Sequence, residues 1–461
     1  RPGTSARPIS ENNKLLRRMH FGRHSLYLFS KKDSLVGYIN RNGDLVKPPG
    51  YTDGGNYSNG RAAVKEGGKW YYVDSNFYKI TTLSFSQAQD FQKNLGVAKS
   101  GSYWKIINRS GEFANNESFF RLNSYNDAYT WGVKRGGWYI IDTTGNIMNQ
   151  KPFKTATPFS HGRALAGYKE KGKKALINGK GEKLSRCRFE PVWPLNENKV
   201  MAVKKGQRCL LIDSNGRRVL GRSFKAITQM KDGWSMAYGS KNTYAISYQG
   251  KLVKLPHEYG YEILGEGLIL ISSGAQLGLM DTNATIIANP EYQSISGVGE
   301  NKILAQTDHD LGVCLDLAGN KLFEYSGSFK SEFCNGLALI KNSEGFYYIT
   351  SSGKNAFSNY YANASAFVGN RAKVEIDGKW HLINLHGKVL NKEGFHQIHL
   401  VEGNLIRITE LSDLGLMDAE GHVLIDPIMT HISRYDDHVV KAEHYNNTYY
   451  YDLRTRAWIY R

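Results

Sequence analysis

The stretch Gly136-Gly137-Trp138-Tyr139-Ile140-Ile141-Asp142-Thr143-Thr144-Gly145 contains the pattern that decides the fold. It joins an aromatic residue, an apolar pair, an Asp and, three residues after that Asp, a Gly. The Asp side chain can accept hydrogen bonds from the backbone that follows it, and Gly readily takes the positive φ angle that closes such a turn. Apolar β-branched residues directly before the Asp are typical of a strand. The stretch therefore predicts a strand that ends in a tight Asx turn.

The same pattern recurs thirteen times along the chain, at intervals of 34 to 36 residues. Ten of the thirteen turn-closing residues, here called anchors, are Gly, and eleven of the residues three positions earlier are Asp or Asn. The anchors, which number the repeats 1 to 13, are Gly43, Phe77, Gly111, Gly145, Gly181, Gly216, Gly250, Ala284, Gly319, Gly353, Gly387, Gly421 and Thr455. A regular period of this length indicates a repeat array.

A second recurring piece precedes the aromatic residue in many repeats. It is exemplified by Gly60-Arg61-Ala62-Ala63-Val64, Gly162-Arg163-Ala164-Leu165 and Gly336-Leu337-Ala338-Leu339. The piece predicts a strand that begins at a turn, and a further strand follows the anchor, so each repeat is predicted to be a three-stranded antiparallel meander. A helical repeat of similar period is excluded, because 48 Gly residues and a period-2 apolar alternation do not fit helices.

The predicted fold class is all-β, with about thirteen tandem three-stranded meanders in an open superhelical array. One or two β-propellers are the alternative, since propellers commonly have four to eight blades. We expect residues 1–22 to form an N-terminal arm and residues 23–461 to form the array. A division into two bodies near residues 250–290 is a further alternative.

The charge of the chain favours an anionic partner or surface. The 461 residues include 60 Lys and Arg against 42 Asp and Glu, a net charge of +18. Because the basic residues are spread along the chain, a basic protein without such a partner is an equally good interpretation. No apolar run approaches the roughly 18–20 residues of a membrane helix, so no transmembrane segment is predicted.

The start of the sequence and its cysteines bear on localisation. The sequence begins with Arg1 rather than Met, which is typical of a mature chain after removal of a signal peptide, or of a fragment. Four cysteines form two neighbouring pairs, Cys187 with Cys209 and Cys314 with Cys334. Two disulfides and buried free thiols both fit this spacing. We expect a periplasmic or extracellular location.

No catalytic, cofactor-binding or metal-binding residue is predicted, and no cofactor. The closest histidine pair, His396 and His399, lies three residues apart on a predicted strand, where side chains point to opposite faces. His309 lies between Asp308 and Asp310, which is interpreted as a polar turn. The Asx turns lack the alternating oxygen ligands and the distal Glu of a calcium loop. Phosphate-binding, zinc-protease and nucleophile motifs are absent from the sequence.

Seven of the eight tryptophans fall into two groups. Four lie at the same position of their repeats and are interpreted as core stacking between repeats: Trp70, Trp104, Trp138 and Trp380. Three others lie outside this position and are predicted to make exposed contacts: Trp193, in Pro191-Val192-Trp193-Pro194, Trp234 and Trp458.

The pairs Lys69-Trp70, Gly137-Trp138 and Lys379-Trp380, each followed by the Asx turn, resemble the WG or KWG repeats common in bacterial proteins. Several repeats without the Trp keep Gly just after its position, as in Val36-Gly37 and Leu414-Gly415. The resemblance rests on spacing and pattern, and it extends over most of the chain. It implies an all-β repeat protein used for binding or as a component of envelope-associated assemblies, without a catalytic residue.

The leading functional hypothesis is a non-enzymatic interaction or scaffold protein that is exported. Its expected partner is another protein, for example an outer-membrane, secretion or transport complex of the envelope, because stacked repeats offer extended binding faces. The alternative is a glycan or cell-wall binding protein, suggested by 29 Tyr, 8 Trp and the basic charge. Nucleic-acid binding, suggested by the charge alone, is the weaker idea.

Overall fold

The computed structural model describes residues 26–30, 35–40, 42–92, 94–123, 128–185, 189–307, 310–400, 405–435, 438–445 and 447–460. Within these ranges every helix or strand element is a β-strand, and the strands form thirteen antiparallel sheets, one for each anchor. None of these sheets closes into a barrel. The all-β repeat fold is therefore confirmed. The predicted arm, residues 1–22, lies outside the described residues.

The strands follow one another along the chain, and neighbours in a sheet are neighbours in sequence. The first six sheets comprise β1 (Leu26–Ser30), β2 (Val36–Asn40), β3 (Leu45–Tyr51); β4 (Asp53–Gly54), β5 (Ala62–Glu66), β6 (Lys69–Val73); β7 (Gln87–Ala88), β8 (Gly96–Ser100), β9 (Tyr103–Ile107); β10 (Arg121–Leu122), β11 (Tyr129–Lys134), β12 (Gly137–Asp142); β13 (Thr155–Ala156), β14 (Arg163–Gly167), β15 (Ala175–Asn178); and β16 (Glu190–Trp193), β17 (Val200–Lys205), β18 (Arg208–Asp213).

The next six sheets comprise β19 (Ala226–Ile227), β20 (Trp234–Tyr238), β21 (Thr243–Ser247), β22 (Leu252–Lys254); β23 (Gly260–Gly265), β24 (Leu268–Ser273), β25 (Gln276–Asp281), β26 (Ile286–Tyr292); β27 (Ser294–Gly299), β28 (Lys302–Gln306), β29 (Leu311–Asp316), β30 (Lys321–Ser326); β31 (Ser328–Phe329), β32 (Leu337–Asn342), β33 (Gly345–Thr350); β34 (Arg371–Ile376), β35 (Lys379–Asn384); and β36 (Gln397–Leu400), β37 (Leu405–Glu410), β38 (Asp413–Asp418), β39 (Val423–Met429). The last sheet comprises β40 (His431–Arg434), β41 (Val439–His444), β42 (Asn447–Asp452) and β43 (Ala457–Tyr460).

The chain divides into two compact units. Unit 1 holds the described residues up to Lys205, Ile212–Arg217 and those from Thr430 onward, and unit 2 holds Gly206–Leu211 and Arg218–Met429. The division does not coincide with residues 250–290. The choice between an open superhelix and propellers stays a prediction.

Seven of the thirteen sheets have the three strands that the sequence predicts, five have four and one has two. In many repeats, however, one of the strands is a short strand at the start of the repeat, which was not predicted. In repeat 2 it is only Asp53–Gly54, which pairs with β5. A strand of two residues leaves no alternating pattern in a sequence, and this is why it was missed. Where all four strands are complete, as in β23–β26, they form a four-stranded meander.

The Asx turn has the geometry that the sequence predicts. Asp142 Oδ1 accepts hydrogen bonds from the backbone N–H groups of Thr144 and Asn146, both at 2.9 Å, and Gly145 has a φ of 89°. Partial burial alone would raise the pKa of Asp142, but these hydrogen bonds outweigh it and lower the pKa. The anchors Phe77 and Ala284 take the same left-handed conformation without being Gly.

Adjacent repeats pack through a recurrent tyrosine located five residues before the anchor, here called the Tyr position. It is occupied by Tyr38, Tyr72, Tyr348 and Tyr450 in repeats 1, 2, 10 and 13. The Tyr72 hydroxyl, for example, donates to the carbonyls of Gln89 and Val97 in repeat 3, at 2.8 and 2.9 Å. Burial raises the pKa of Tyr72, so the hydroxyl keeps the proton that it donates.

Within unit 1, the last repeat packs against the first in the same manner. The Tyr450 hydroxyl donates to the carbonyl of Leu28, and Tyr450 lies in one core cluster with Tyr27 and Ile39. The anchor Gly43 abuts the carbonyl of Ile459, where a Cβ would lie 2.0 Å from the oxygen. The two terminal repeats therefore make the contact that neighbouring repeats make elsewhere.

A second recurrent contact was not predicted. Arg61 donates from Nε and Nη2 to the carbonyl of Arg109 at 3.0 and 2.8 Å, and Arg163 donates from Nε to the carbonyl of Ser214 at 2.9 Å. In unit 2, Arg371 makes the equivalent bond to the next repeat. In each case the acceptor directly follows the Asx residue of the next repeat. The Arg of the Gly-Arg piece thus ties one repeat to the turn of its neighbour.

The cysteines and the in-register tryptophans can now be placed. Cys209, Cys314 and Cys334 are free thiols, which agrees with the free-thiol alternative, and Cys187 lies outside the described residues. Burial raises the pKa of Cys314 to about 11. The four in-register tryptophans are half-buried and pack against the core clusters, as their interpretation requires.

Candidate binding pocket

A β-bulge in the first strand of repeat 6 places the residues of the candidate site. Pro191 pairs with Val203 and Trp193 pairs with Ala202, so Val192 is the extra residue between them. A bulge of this kind re-aims the side chains around it, and such bulges are frequent beside binding sites. Val192 is left 43% exposed, whereas Trp193 is only 8% exposed. The prediction that Trp193 makes an exposed contact is therefore wrong, because the bulge turns its ring inward.

Trp193 lines a cavity of about 450 Å³ in unit 1, between repeats 5 and 6, here called the Trp193 pocket. Its walls are mostly apolar, and the larger side chains include Phe159, Leu165, Leu176, Val192, Leu195 and Met201. The volume falls within the range of small-ligand and side-chain binding sites. Apolar walls and an exposed Val192 at the bulge favour an apolar occupant.

Two aliphatic residues border the space that aromatic rings fill elsewhere. Leu176 occupies the Tyr position of repeat 5, and Leu195 lies 19 residues further along the chain. At the corresponding places of repeats 2 and 3, Tyr72 and Phe91 pack edge to face with ring centroids 4.9 Å apart. At this interface Leu176 and Leu195 occupy the places of those two rings, and both line the Trp193 pocket.

The indole N–H of Trp193 is a buried donor without a hydrogen-bond partner among the described residues. Leaving such a group unsatisfied costs about 1–3 kcal/mol. An unsatisfied buried donor is easiest to explain at a place where a ligand supplies the missing acceptor. The pocket therefore has mostly apolar walls, and one of its lining residues, Trp193, carries a buried donor without a partner among the described residues.

The other polar groups around the pocket already have partners. Arg163 is held by the carbonyls of Ser214 and Gly162. The Ser160 hydroxyl donates to the carbonyl of Leu195 at 3.0 Å. These bonds hold the residues at the rim of the pocket in place.

A second cavity of about 410 Å³, here called the Arg121 pocket, adjoins the first. The two cavities share Pro158 and Phe159 as lining residues. Phe159 is supported from behind by Trp131, which stacks on it with ring centroids 5.0 Å apart. Trp131 is fixed in turn by a hydrogen bond from its Nε1 to the carbonyl of Thr157 at 2.9 Å. The wall between the two cavities is therefore rigid.

The Arg121 pocket has a polar lining, in contrast to its neighbour. Arg121, Asn123 and Thr130 contribute polar groups, and the Thr130 hydroxyl donates to the carbonyl of Asn123 at 2.8 Å. The guanidinium of Arg121 makes no hydrogen bond or ion pair to any residue that the structure describes, and Arg121 is exposed. A cation without a partner at this place favours an anionic group.

The groups that usually perform acid–base or nucleophilic chemistry are not among the described residues that line the two cavities, since these include no His, Cys, Asp or Glu. Across the described part of the chain, no three such residues lie close enough to hold a metal ion. Within the same residues, no helix is long and apolar enough to cross a membrane.

The remaining residues that the sequence singled out lie apart from the pocket. His396 contacts Glu410 through Nδ1 at 2.9 Å, while His399 pairs in backbone register with Arg407 on the next strand. Hydrogen bonds from Lys379 and His396 lower the pKa of Glu410 to about 2. Asp308 and His309 lie outside the described residues. Trp234 and Trp458, predicted to make exposed contacts, are both half-buried.

The fold defines the class of protein: an all-β repeat protein, with a cavity between two of its repeats. The family model described as the WG containing repeat matches residues 37–70, a span of one repeat length from Gly37 to Trp70. This match confirms the resemblance to WG-type repeats. No curated protein matches the chain.

Several solved structures are similar at low identity. BamB from Moraxella catarrhalis is 11% identical with a TM-score of 0.27, over 66% of this chain and 94% of that chain. The extracellular domain of a putative one component system from B. thetaiotaomicron is 8% identical with a TM-score of 0.25, over 94% and 81% of the two chains. Hsv2p from Kluyveromyces lactis is 15% identical with a TM-score of 0.27, over 50% and 96%. Scores of this size carry no functional conclusion.

Proposed function

We propose that this protein is a non-enzymatic scaffold that docks another protein, and that the Trp193 pocket receives an apolar side chain of the partner. The observation that carries the proposal is the pocket itself: an apolar cavity beside a bulge, with the half-exposed Val192 at the bulge and a buried indole donor in its wall. Anchors of this kind, a large side chain in a desolvated pocket, supply most of the binding energy in many protein interfaces.

The repeat architecture supports the same function. Stacked repeats are quasi-one-dimensional and offer extended surfaces for binding. The pocket differs from the packed interface between repeats 2 and 3, so it gives the array a place where a partner can be recognised.

The finer part of the proposal concerns place and partner. We place the protein in the periplasm or outside the cell, as a subunit of an envelope assembly such as a secretion or transport complex or as its docking partner. The net charge of +18 suits the anionic surroundings of an envelope. Residues 1–22 would serve as an arm beside the array of residues 23–461. We assign no catalytic, cofactor-binding or metal-binding residue, and glycan binding stays a prediction from composition.

The test is capture of partners from the envelope fraction of the source cells with the full chain as bait, followed by direct titration of each purified partner. Val192→Glu places a charge at the apolar pocket and is expected to weaken binding more than about tenfold, because an unpaired charge is costly against apolar walls. Val46→Glu is the matched control, since Val46 is 40% exposed and also lies in unit 1.

The expected result is a partner that binds the unmodified chain and the Val46→Glu control but not Val192→Glu. A partner that binds all three chains equally would show that docking does not use the pocket. Capture of no protein by the unmodified chain would contradict the scaffold function itself.

A further inference from the structure

The geometry points to the chemistry of the occupant: we infer that the two adjoining cavities together take an extended peptide segment with a bulky apolar side chain next to a carboxylate side chain. The inference rests on the proposed docking function and specifies what the partner presents. The apolar side chain enters the Trp193 pocket, its backbone carbonyl accepts from the indole N–H, and the carboxylate meets Arg121.

The indole donor favours a peptide over other apolar ligands. Trp193 lines an apolar cavity and its Nε1 lacks an acceptor, and each residue of a peptide carries a carbonyl directly beside its side chain. An acyl chain has no acceptor along its length, and a sugar would leave many hydroxyl groups facing the apolar walls. A peptide therefore satisfies both features of the Trp193 pocket at once.

The guanidinium of Arg121 sets the second requirement. It lies in the cavity that shares Pro158 and Phe159 with the Trp193 pocket, and it lacks an acidic partner among the described residues. Guanidinium groups bind carboxylates in planar, two-bonded geometry. Because the cavities adjoin, the acidic residue of the segment must be a close neighbour of its apolar anchor.

The wall that the two subsites share is supported by Trp131. Phe159 stacks on Trp131, whose own N–H is bound to the Thr157 carbonyl. The two subsites are therefore neighbours across an ordered wall, which favours a short spacing between anchor and carboxylate.

The probe is a display library of random peptides selected on the full chain. The expected result is enrichment of sequences in which a bulky apolar residue lies next to, or one residue from, Asp or Glu. One enriched peptide is then synthesised and titrated against three variants. Arg121→Gln is expected to weaken it about two- to fivefold, and less at high salt, as is typical of an exposed ion pair. Trp193→Phe is expected to weaken it about three- to tenfold, because the donor is lost and the aromatic ring is kept.

Arg135→Gln is the control for charge, because Arg135 is exposed in the turn between β11 and β12 of the same sheet as Arg121. It should leave the affinity unchanged. Enrichment of no sequence, enrichment without an acidic residue, or equal binding by Arg121→Gln and the unmodified chain would each overturn the inference. So would displacement of the peptide by laurate with equal affinity, since a fatty acid would then be the better occupant.

The outcomes separate this inference from the docking function. If a captured partner is lost with Val192→Glu but retained with both Arg121→Gln and Trp193→Phe, docking at the pocket holds and the peptide chemistry does not. If Val192→Glu has no effect on any partner, the docking site itself lies elsewhere.

Discussion

Two interfaces in unit 1 share the same backbone plan but differ in packing. The interface between repeats 2 and 3 is filled by side chains, and the interface between repeats 5 and 6 contains a cavity. In the first, Tyr72 fills the space and donates to two carbonyls of the next repeat. In the second, Leu176 stands at the same position and a cavity of about 450 Å³ remains. Both interfaces carry the arginine contact, from Arg61 and from Arg163. The second interface therefore differs from the first in the cavity that it contains, while the arginine contact is the same in both.

The largest expected effect on stability comes from a substitution at the filled interface between repeats 2 and 3. Tyr72→Leu should lower the free energy of unfolding by about 2–4 kcal/mol, because it leaves a cavity and removes the hydroxyl donor of the Gln89 carbonyl. Urea unfolding measures the change. Tyr78→Leu in the same repeat is the control, since Tyr78 is 72% exposed and its replacement should change stability by at most about 0.5 kcal/mol. If the two substitutions lowered the free energy of unfolding equally, packing at the Tyr position would not be what stabilises the interface.

The arginine contact is expected to matter equally in both regions. Arg61→Ala and Arg163→Ala should each lower the free energy of unfolding by about 1–2 kcal/mol, since each removes charge-assisted hydrogen bonds to a carbonyl of the next repeat. Urea unfolding again measures the effect, with Arg135→Ala as the exposed control. If only Arg61→Ala destabilised the protein, the open interface would be held by other contacts.

Filling the cavity between repeats 5 and 6 should change the free energy of unfolding by a smaller amount and in the opposite direction. Leu176→Tyr introduces the ring that Tyr72 provides elsewhere, so we expect it to fill the pocket and to raise the free energy of unfolding by up to about 1 kcal/mol. Thermal unfolding measures stability, and titration of the selected peptide measures access to the pocket. A variant that loses stability by more than about 1 kcal/mol and still binds would show that the two interfaces are not equivalent.

The smallest effect concerns the Asx turns, which both regions share. The pKa of Asp142 is lowered in the folded state, so its contribution to stability is present above the unfolded pKa of about 3.9 and is lost as pH falls through the folded pKa. Asp142→Asn keeps the turn, as Asn178 does in repeat 5, but removes this titration. In urea unfolding, the two chains should differ in free energy of unfolding at neutral pH, and this difference should become smaller below about pH 4. A gap independent of pH would contradict this explanation.

The sequence contains most of the repeat plan, because that plan depends on local chemistry. The Asp-x-x-Gly spacing around Asp142 and Gly145 determines the turn, and the apolar residues before it determine the strand. The short strand Asp53–Gly54 was missed because two residues show no periodicity. The arginine contact was missed because Arg61 and its acceptor lie 48 residues apart in the chain.

The candidate site was less accessible from the sequence. Trp193 was noticed, but its burial depends on a bulge that the flanking prolines suggest only indirectly: Pro191 and Pro194 lack the N–H groups of a regular ladder. Leu176 carries no such signal, because four other repeats also have Leu at this position, namely Leu211, Leu279, Leu382 and Leu416. Arg121 has none, because nothing local distinguishes an unpaired exposed Arg from a paired one.

The most direct test of the pocket is the indole N–H signal of Trp193 in protein labelled with ¹⁵N-tryptophan. The chain has eight tryptophans, and the signal that disappears in Trp193→Phe identifies it. The expected result is that the selected peptide moves the Trp193 signal in the unmodified chain and leaves it unmoved in Leu176→Tyr, whose pocket is filled. A peptide or partner that binds the unmodified chain without moving this signal would contradict docking at the Trp193 pocket.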